Sequence, residues 1–260
     1  MDRTVVITGG SSGIGKATTE LFAEHGWKVF EWSRSGQSTE KVTHVSCDVT
    51  DPEQTKAAVQ QVLKQTDHID AFISNAGFGI SGAVEFTTPE DAHRQMEVNF
   101  FGALNSVQAV LPHMRERKAG RIIFTSSVAA ILSVPYQSFY SASKAAINAL
   151  ALALQNEVRE FGIYVSVLMP GDVSTGFTAA RKKSEEGSDA YGHIRQAVAT
   201  MEKDEQGGMS PRKMAKDLYY IATRRCPAPQ YIGGFQYQVL CFLDRLLPKR
   251  LVNWIVAQVY

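Results

Sequence analysis

The residues Thr8-Gly9-Gly10-Ser11-Ser12-Gly13-Ile14-Gly15 lie between an apolar run and a helical pattern, and that junction leaves few folds open to the chain. Ahead of it, Thr4–Thr8 reads as a short strand rich in β-branched residues. Behind it, Gly13 to His25 carries helical periodicity. Glycines at such a place let the backbone turn sharply and approach a ligand closely. The helix they open presents unpaired N–H groups and the positive end of its dipole.

The same strand-then-helix alternation continues. Lys28–Trp32, Val42–Ser46, Ala71–Ser74, Arg121–Thr125 and Ile163–Leu168 read as strands, and Pro52–Thr66, Pro89–Arg117 and Phe139–Phe161 as helices. Asp51 before Pro52 is an N-cap followed by the proline favoured at a first helical position. The pattern predicts an α/β fold, a single Rossmann-type doubly wound parallel sheet with helices on both faces and ligands at the carboxyl ends of the strands. One domain over 1–260 is expected, because no linker-like composition divides the chain. A polar segment at about 176–210, with the runs Arg181-Lys182-Lys183 and Glu185-Glu186, reads as a lid or a solvated excursion. A helix at Pro211–Arg224 and a strand near Tyr231 would close the sheet. The apolar tail at about 239–260 reads as a helix of the kind usually buried, packed on its own domain, covering the substrate cleft, joining a subunit interface or resting on a membrane surface.

Bulk properties exclude some partners. A net charge of +1 gives no electrostatic case for nucleic acid or an anionic membrane. Cys47, Cys226 and Cys241 have neither an even count nor metal-ligand spacing, and suit a reducing compartment as small apolar residues. The chain enters its first strand without a basic-then-apolar leader, and no run approaches the ~18 apolar residues of a membrane span. A cytoplasmic location is expected, with at most weak membrane-surface contact through the tail, where Lys249 and Arg250 precede the apolar residues.

The glycine cluster admits two ligand readings. As a dinucleotide loop it places a pyrophosphate at the helix N-terminus. As a phosphate-binding P-loop it fits from Gly10 through Gly15-Lys16, but Ala17 stands where a hydroxyl would hold Mg²⁺. A structural turn without a ligand is the bland alternative. Downstream residues favour the dinucleotide.

Tyr140 and Lys144 are four residues apart, on one face of a helix. A cation beside a phenol favours the phenolate, so the Tyr140 pKa is expected to fall and the residue to exchange a proton with a carbonyl or alcohol oxygen. Alone such a pair is usually a surface contact. Here Ser127 lies thirteen residues upstream, past a strand, and Asn99 sits mid-helix, where an amide is unfavourable unless used. Ser74-Asn75-Ala76-Gly77 and Pro170-Gly171-Asp172-Val173-Ser174-Thr175 end two further strands.

This ordered set resembles the short-chain dehydrogenase/reductase family over roughly residues 4–235, within it the branch of hydroxysteroid and retinol dehydrogenases. The resemblance implies a hydride transfer between a nicotinamide and a ketone or secondary alcohol. It implies Tyr140 as acid/base, Lys144 as the residue that lowers its pKa and binds the ribose, Ser127 as the group that orients the substrate oxygen, and Asn99 as the holder of a relay water. It further implies Gly9, Ser11, Ser12, Gly13, Ile14 and Gly15 on the diphosphate side, Asp48 and Val49 at the adenine, Asn75, Ala76 and Gly77 at the neighbouring ribose, and Pro170, Gly171, Val173 and Thr175 at the carboxamide. Ser74 departs from the commoner Asn of the family. Ser127 rather than Ser126 has the family spacing to Tyr140.

An acidic residue at the end of the second strand would accept from a ribose 2′-OH, whereas a 2′-phosphate needs a cation. Ser33 occupies that position and Arg34 follows, so NADP(H) is expected over NAD(H). Glu31 is the alternative ribose partner, two residues too early. Phe78, Ile131, Leu132, Val134, Tyr136, Met169 and Phe177 are candidates for an apolar cleft, which suits a small hydrophobic steroid-, retinoid- or lipid-like carbonyl or alcohol. The alternatives are a 3-oxoacyl thioester reductase, which needs the same four residues, and an NADPH sensor without turnover, which needs neither Tyr140 nor Ser127. Ala142, Ala145, Ala146, Ala149 and Ala153 permit close helix approach, and a homodimer or homotetramer is expected.

Overall fold

The computed structural model describes residues 3–184, 186–187 and 189–260. Seven strands form one parallel sheet, ordered β3-β2-β1-β4-β6-β7-β9. In chain order, β1 is Thr4–Thr8, α1 Gly13–Glu24, β2 Lys28–Ser33, β3 Val42–Ser46, α2 Pro52–Leu63, β4 Ala71–Ser74 and β5 Ile80–Ser81. Then come α3 Pro89–Met96, α4 Gly102–Arg117, β6 Gly120–Thr125, α5 Ser138–Glu157, β7 Ile163–Pro170, α6 Phe177–Ala180 and β8 Lys182–Lys183. The chain ends with α7 Ile194–Gln206, α8 Pro211–Thr223, β9 Gln230–Gly233, α9 Phe235–Leu246 and α10 Lys249–Val259.

The central strands are buried on both faces, which is why they read as continuous apolar runs. One core packs Phe30, Trp32, Phe72 and Phe124 against α2, α4 and α5. The other packs Val5, Ile7, Ile73 and Leu168 against α1 and α8. Chain order reverses between β1 and β4, and at that switch the Thr8 hydroxyl accepts from the backbone N–H groups of Asn75 (2.9 Å) and Ala76 (3.0 Å). The loops after the two strands are thereby tied together.

Three expectations change. The helix expected at Pro89–Arg117 is divided by a π-helical turn, Glu97–Phe101, which shifts the register and turns the Asn99 amide inward. The segment at 176–210 is not shapeless: β8 pairs with β5, α7 buries Ile194, Ala197 and Met201, and Lys183 pairs with Glu202. Glu185, of the acidic run, lies outside the described residues. The tail helix α10 buries none of its residues, and Leu251, Trp254, Ile255 and Val259 are exposed. It packs through one side only, so apolar character all round did not mean burial. Among the cysteines, Cys226 is exposed rather than packed. Among the described residues, no helix is long and apolar enough to cross a membrane.

The Thr8 contact generates a test. Thr8→Val keeps the side-chain shape but takes the acceptor from two partly buried N–H groups, so it should lower the unfolding free energy by about 1–2 kcal/mol in urea titrations, with Thr8→Ser recovering most of the loss.

Candidate active site

The glycine loop fits an anion by what it lacks. Ser12, the N-cap of α1, makes no side-chain capping bond, and the first turn carries no acidic residue, so its N–H groups remain available. Gly9 takes φ +66°, a left-handed conformation costly for other residues. Gly15 is required for space: a Cβ there would lie 2.1 Å from the Gly9 carbonyl oxygen.

One cavity of about 660 Å³ runs from this loop past Tyr140 to the C-terminal helices. Of the residues expected at the site, Gly9, Ser12, Gly13, Ile14, Asn75, Ala76 and Gly77 line its first part. Ser127, Tyr140, Lys144, Pro170, Gly171, Val173 and Thr175 line the middle. Ser11, Gly15, Ser33, Arg34, Asp48, Val49 and Asn99 do not line it. Gly15 and Asn99 support the wall from behind, and Val49 packs under Gly102. Arg34 is exposed just beyond β2, close enough to Asp48 to help hold that carboxyl below its ordinary value; burial opposes this, and the Thr50 hydrogen bonds assist it. Glu31 is buried, with Oε1 bonded to His44 and accepting from Ser33 Oγ at 3.3 Å, while Oε2 has no hydrogen-bond partner and lies beside Gly10 of the glycine loop, where a Cβ would come 3.3 Å from it.

The reacting groups are set by β6 and α5. Ser127 caps a short 3₁₀ turn through a bond from Ala129 N–H (3.1 Å), and its hydroxyl also hydrogen-bonds Tyr140. Ser126 is spent on the Lys144 carbonyl at 3.1 Å. Lys144 is buried and donates from Nζ to the Thr125 carbonyl at 2.9 Å, 5.7 Å from the Tyr140 ring centre. Burial pushes Lys144 down to about 8. Burial pushes Tyr140 up to about 12, against the lowering bond from Ser127. Burial thus outweighs the expected lowering of the Tyr140 pKa in the absence of bound nucleotide, and the Lys144 ammonium donates to a backbone carbonyl. The Asn99 amide is fully engaged: Oδ1 accepts from Phe78 N–H (3.0 Å), and Nδ2 donates to the Phe78 carbonyl (3.1 Å) and to Ser143 Oγ (3.0 Å). It clamps the loop after β4 onto α5.

Of the expected apolar cleft, Phe78, Leu132, Val134 and Phe177 line the cavity, while Met169 lies in the core and Ile131 packs against it. Tyr136 stands outside the lining, at φ +62°. Sequence reading gave no site role to Asp172, Glu205 or Tyr237, whereas one of its readings of the tail, a cover over the substrate cleft, agrees with Leu243, Val252 and Val256, and all six reach the cavity. The apolar tail was the signal for the last three.

The Lys144 burial has a measurable sign. Between about pH 8 and the ordinary lysine value of 10.5, the unfolded chain binds the proton that the folded chain has lost, so the Lys144 contribution to stability should rise with pH across that window, opposed above about pH 9 by the raised Cys47 thiol. Lys144→Met should flatten this rise in urea titrations, and an identical pH slope in the variant would contradict the assignment.

Comparisons with known proteins agree with the geometry. The profile of the short chain dehydrogenase family matches residues 3–186. The chain is 40% identical over 240 residues to 3-ketodihydrosphingosine reductase of Bacteroides thetaiotaomicron, covering 91% of this chain and 89% of that protein. It is 32% identical over 231 residues to dehydrogenase/reductase SDR family member 7B of Bos taurus, covering 82% and 68%. The crystal structure of a short-chain dehydrogenase from Streptomyces avermitilis superposes with a TM-score of 0.85 at 28% identity, covering 99% of this chain and 97% of that one. The chain belongs to the short-chain dehydrogenase family, oxidoreductases that bind a nicotinamide nucleotide and act on alcohol and ketone substrates.

Proposed function

We propose that this protein is an NADP(H)-dependent oxidoreductase that interconverts a ketone and a secondary alcohol carried on a long apolar chain. The cavity carries this reading: beyond Tyr140 its wall is built from Leu243, Leu247, Val252, Val256 and Val259 of the last two helices and the turn between them. Such a wall suits a flexible hydrocarbon, which gains roughly 0.8 kcal/mol per buried methylene. The name of the Bacteroides relative, a 3-ketodihydrosphingosine reductase, agrees with a lipid ketone.

The residues divide the work as follows. The nicotinamide, when bound, supplies or accepts the hydride. The α1 N-terminus and glycine loop hold its diphosphate, and Arg34 meets the 2′-phosphate. Ser127 and Tyr140 donate hydrogen bonds to the carbonyl oxygen, which polarises the carbon. Tyr140 gives its proton to that oxygen as the alcohol forms. Lys144, cationic below about pH 8, stabilises the phenolate left behind. Asn99 holds the loop carrying Phe78 against α5, which keeps this wall of the site in place.

NADPH oxidation followed by absorbance, with ketones of increasing chain length, tests the proposal. The expected kcat/KM rises about fourfold per added methylene until the cavity is filled. NADH should be the poorer donor, Arg34→Glu should remove the preference, and Tyr140→Phe should abolish turnover. Turnover of acetoacetyl thioesters with none of the long-chain ketones would replace this reading with a 3-oxoacyl reductase. Tight NADPH binding without any turnover would replace it with a sensor.

A further inference from the structure

The last two helices are apolar on two sides, and only one of those sides has a place within the chain. Leu243 and Leu247, with Val252 and Val256 of α10, face the cavity. The other side of α9 carries Phe235, Val239, Phe242 and Leu246, which recur at helical spacing. Leu251 and Trp254 of α10 extend the exposed apolar surface. None of these six lines the cavity, and all are exposed: Phe235 by 78%, Leu246 by 66%, and Phe242 and Trp254 by 60% each. A single exposed leucine is ordinary, but six large apolar side chains along consecutive helices, three of them aromatic, mark a surface that is covered in use.

The charges beside this surface are of one sign. From 235 to 260 the chain holds Arg245, Lys249 and Arg250 against a single acid, Asp244. Asp244 is buried at the cavity and accepts from Lys249 Nζ at 2.6 Å. Arg245 and Arg250 are exposed and form no ion pair among the described residues. Arg250 lies four residues before Trp254, on the same side of α10. The net charge of +1 for the whole chain conceals this local excess. Self-pairing of two copies through this face would bring both arginines of each copy into one interface, with no exposed acid in the segment to receive them. Anionic lipid headgroups supply the missing sign, and the acyl boundary beneath them takes the apolar side chains. The helices, of 12 and 11 residues, are too short to span a bilayer, so they lie on its surface.

We propose that the outward face of α9 and α10 docks on an anionic phospholipid surface, with Phe235, Phe242, Leu246 and Trp254 at the acyl boundary and Arg245 and Arg250 against the phosphates. The opposite side of the same helices is the cavity wall, so docking holds the cavity beside the bilayer. Leu240 and Ile255 are both exposed and part of that wall, which places the opening of the cavity between these helices. An apolar ketone dissolved in the lipid then reaches Tyr140 with little passage through water, a consequence that rests on the long-chain reading above; the docking itself does not.

The test adds vesicles of equal parts phosphatidylglycerol and phosphatidylcholine, or of phosphatidylcholine alone, to the whole chain. Trp254 is the reporter, since Trp27 and Trp32 are buried. Its emission should shift to the blue on the mixed vesicles and be quenched by brominated acyl chains, and the protein should sediment with them. Phe242→Ser combined with Leu246→Ser should lower the partition coefficient at least about tenfold on the mixed vesicles. Arg245→Gln and Arg250→Gln should each lower it about fivefold on the mixed vesicles and leave binding to phosphatidylcholine unchanged. All these variants should keep the wild-type kcat/KM for a short water-soluble ketone, which separates lost docking from lost folding. Absence of the blue shift and of sedimentation with mixed vesicles overturns the proposal and leaves the reductase reading standing. A lipid-free dimer that the Phe242→Ser and Leu246→Ser pair dissociates also overturns it, because a second copy then covers the face. Vesicle binding by a wild type that reduces no ketone supports the docking and overturns the reductase reading alone.

Discussion

The Thr8 hydroxyl holds two backbone N–H groups of the loop after β4, and it does so at the place where the sheet order reverses. In a parallel sheet every strand ends at one edge, and at a reversal the connecting helices leave on opposite faces, so a crevice opens between the loops. The glycine loop, the Asn75–Gly77 loop, the Ser127 turn and the Pro170–Thr175 loop all descend from strand ends on that edge. Asn99 then joins the second of these to α5, which carries Tyr140 and Lys144. The relative placement of nucleotide loop and reacting side chains follows from a handful of hydrogen bonds across the switch point.

Burial acts on the two titrating groups in opposite directions. It raises the phenol and lowers the ammonium, since in each case it disfavours the charged form. The Ser127 hydroxyl opposes that effect at Tyr140. A phenol that keeps its proton at neutral pH suits the donor in carbonyl reduction, and a lysine near the middle of the working range suits a group that must answer when the phenol gives the proton up.

The sheet was legible because buried parallel strands are apolar runs, and all six proposed strands begin and end within two residues of those observed. The Tyr140, Lys144 and Ser127 grouping was legible because the residues recur at spacings set by one helix and one strand end. Other features were not local in sequence. The π turn at Glu97–Phe101 is selected by contacts of Asn99 with residues on two other elements. The burial of Lys144, which decides its titration, depends on Thr125 and the packing around it. The tail was legible in part: a place over the substrate cleft was among its readings, but burial on every side was not what formed, since α10 spends one side on the cavity and exposes the others.

The most direct measurement is the fate of a label. NADPH carrying deuterium at the reactive position of the nicotinamide would be incubated with a long-chain ketone, and the product alcohol analysed by mass spectrometry. Transfer within this cavity predicts one deuterium on the carbinol carbon and the unlabelled proton on oxygen, with a single alcohol stereoisomer. Alcohol without the label, or label spread to other carbons, would contradict hydride transfer at the Tyr140 site.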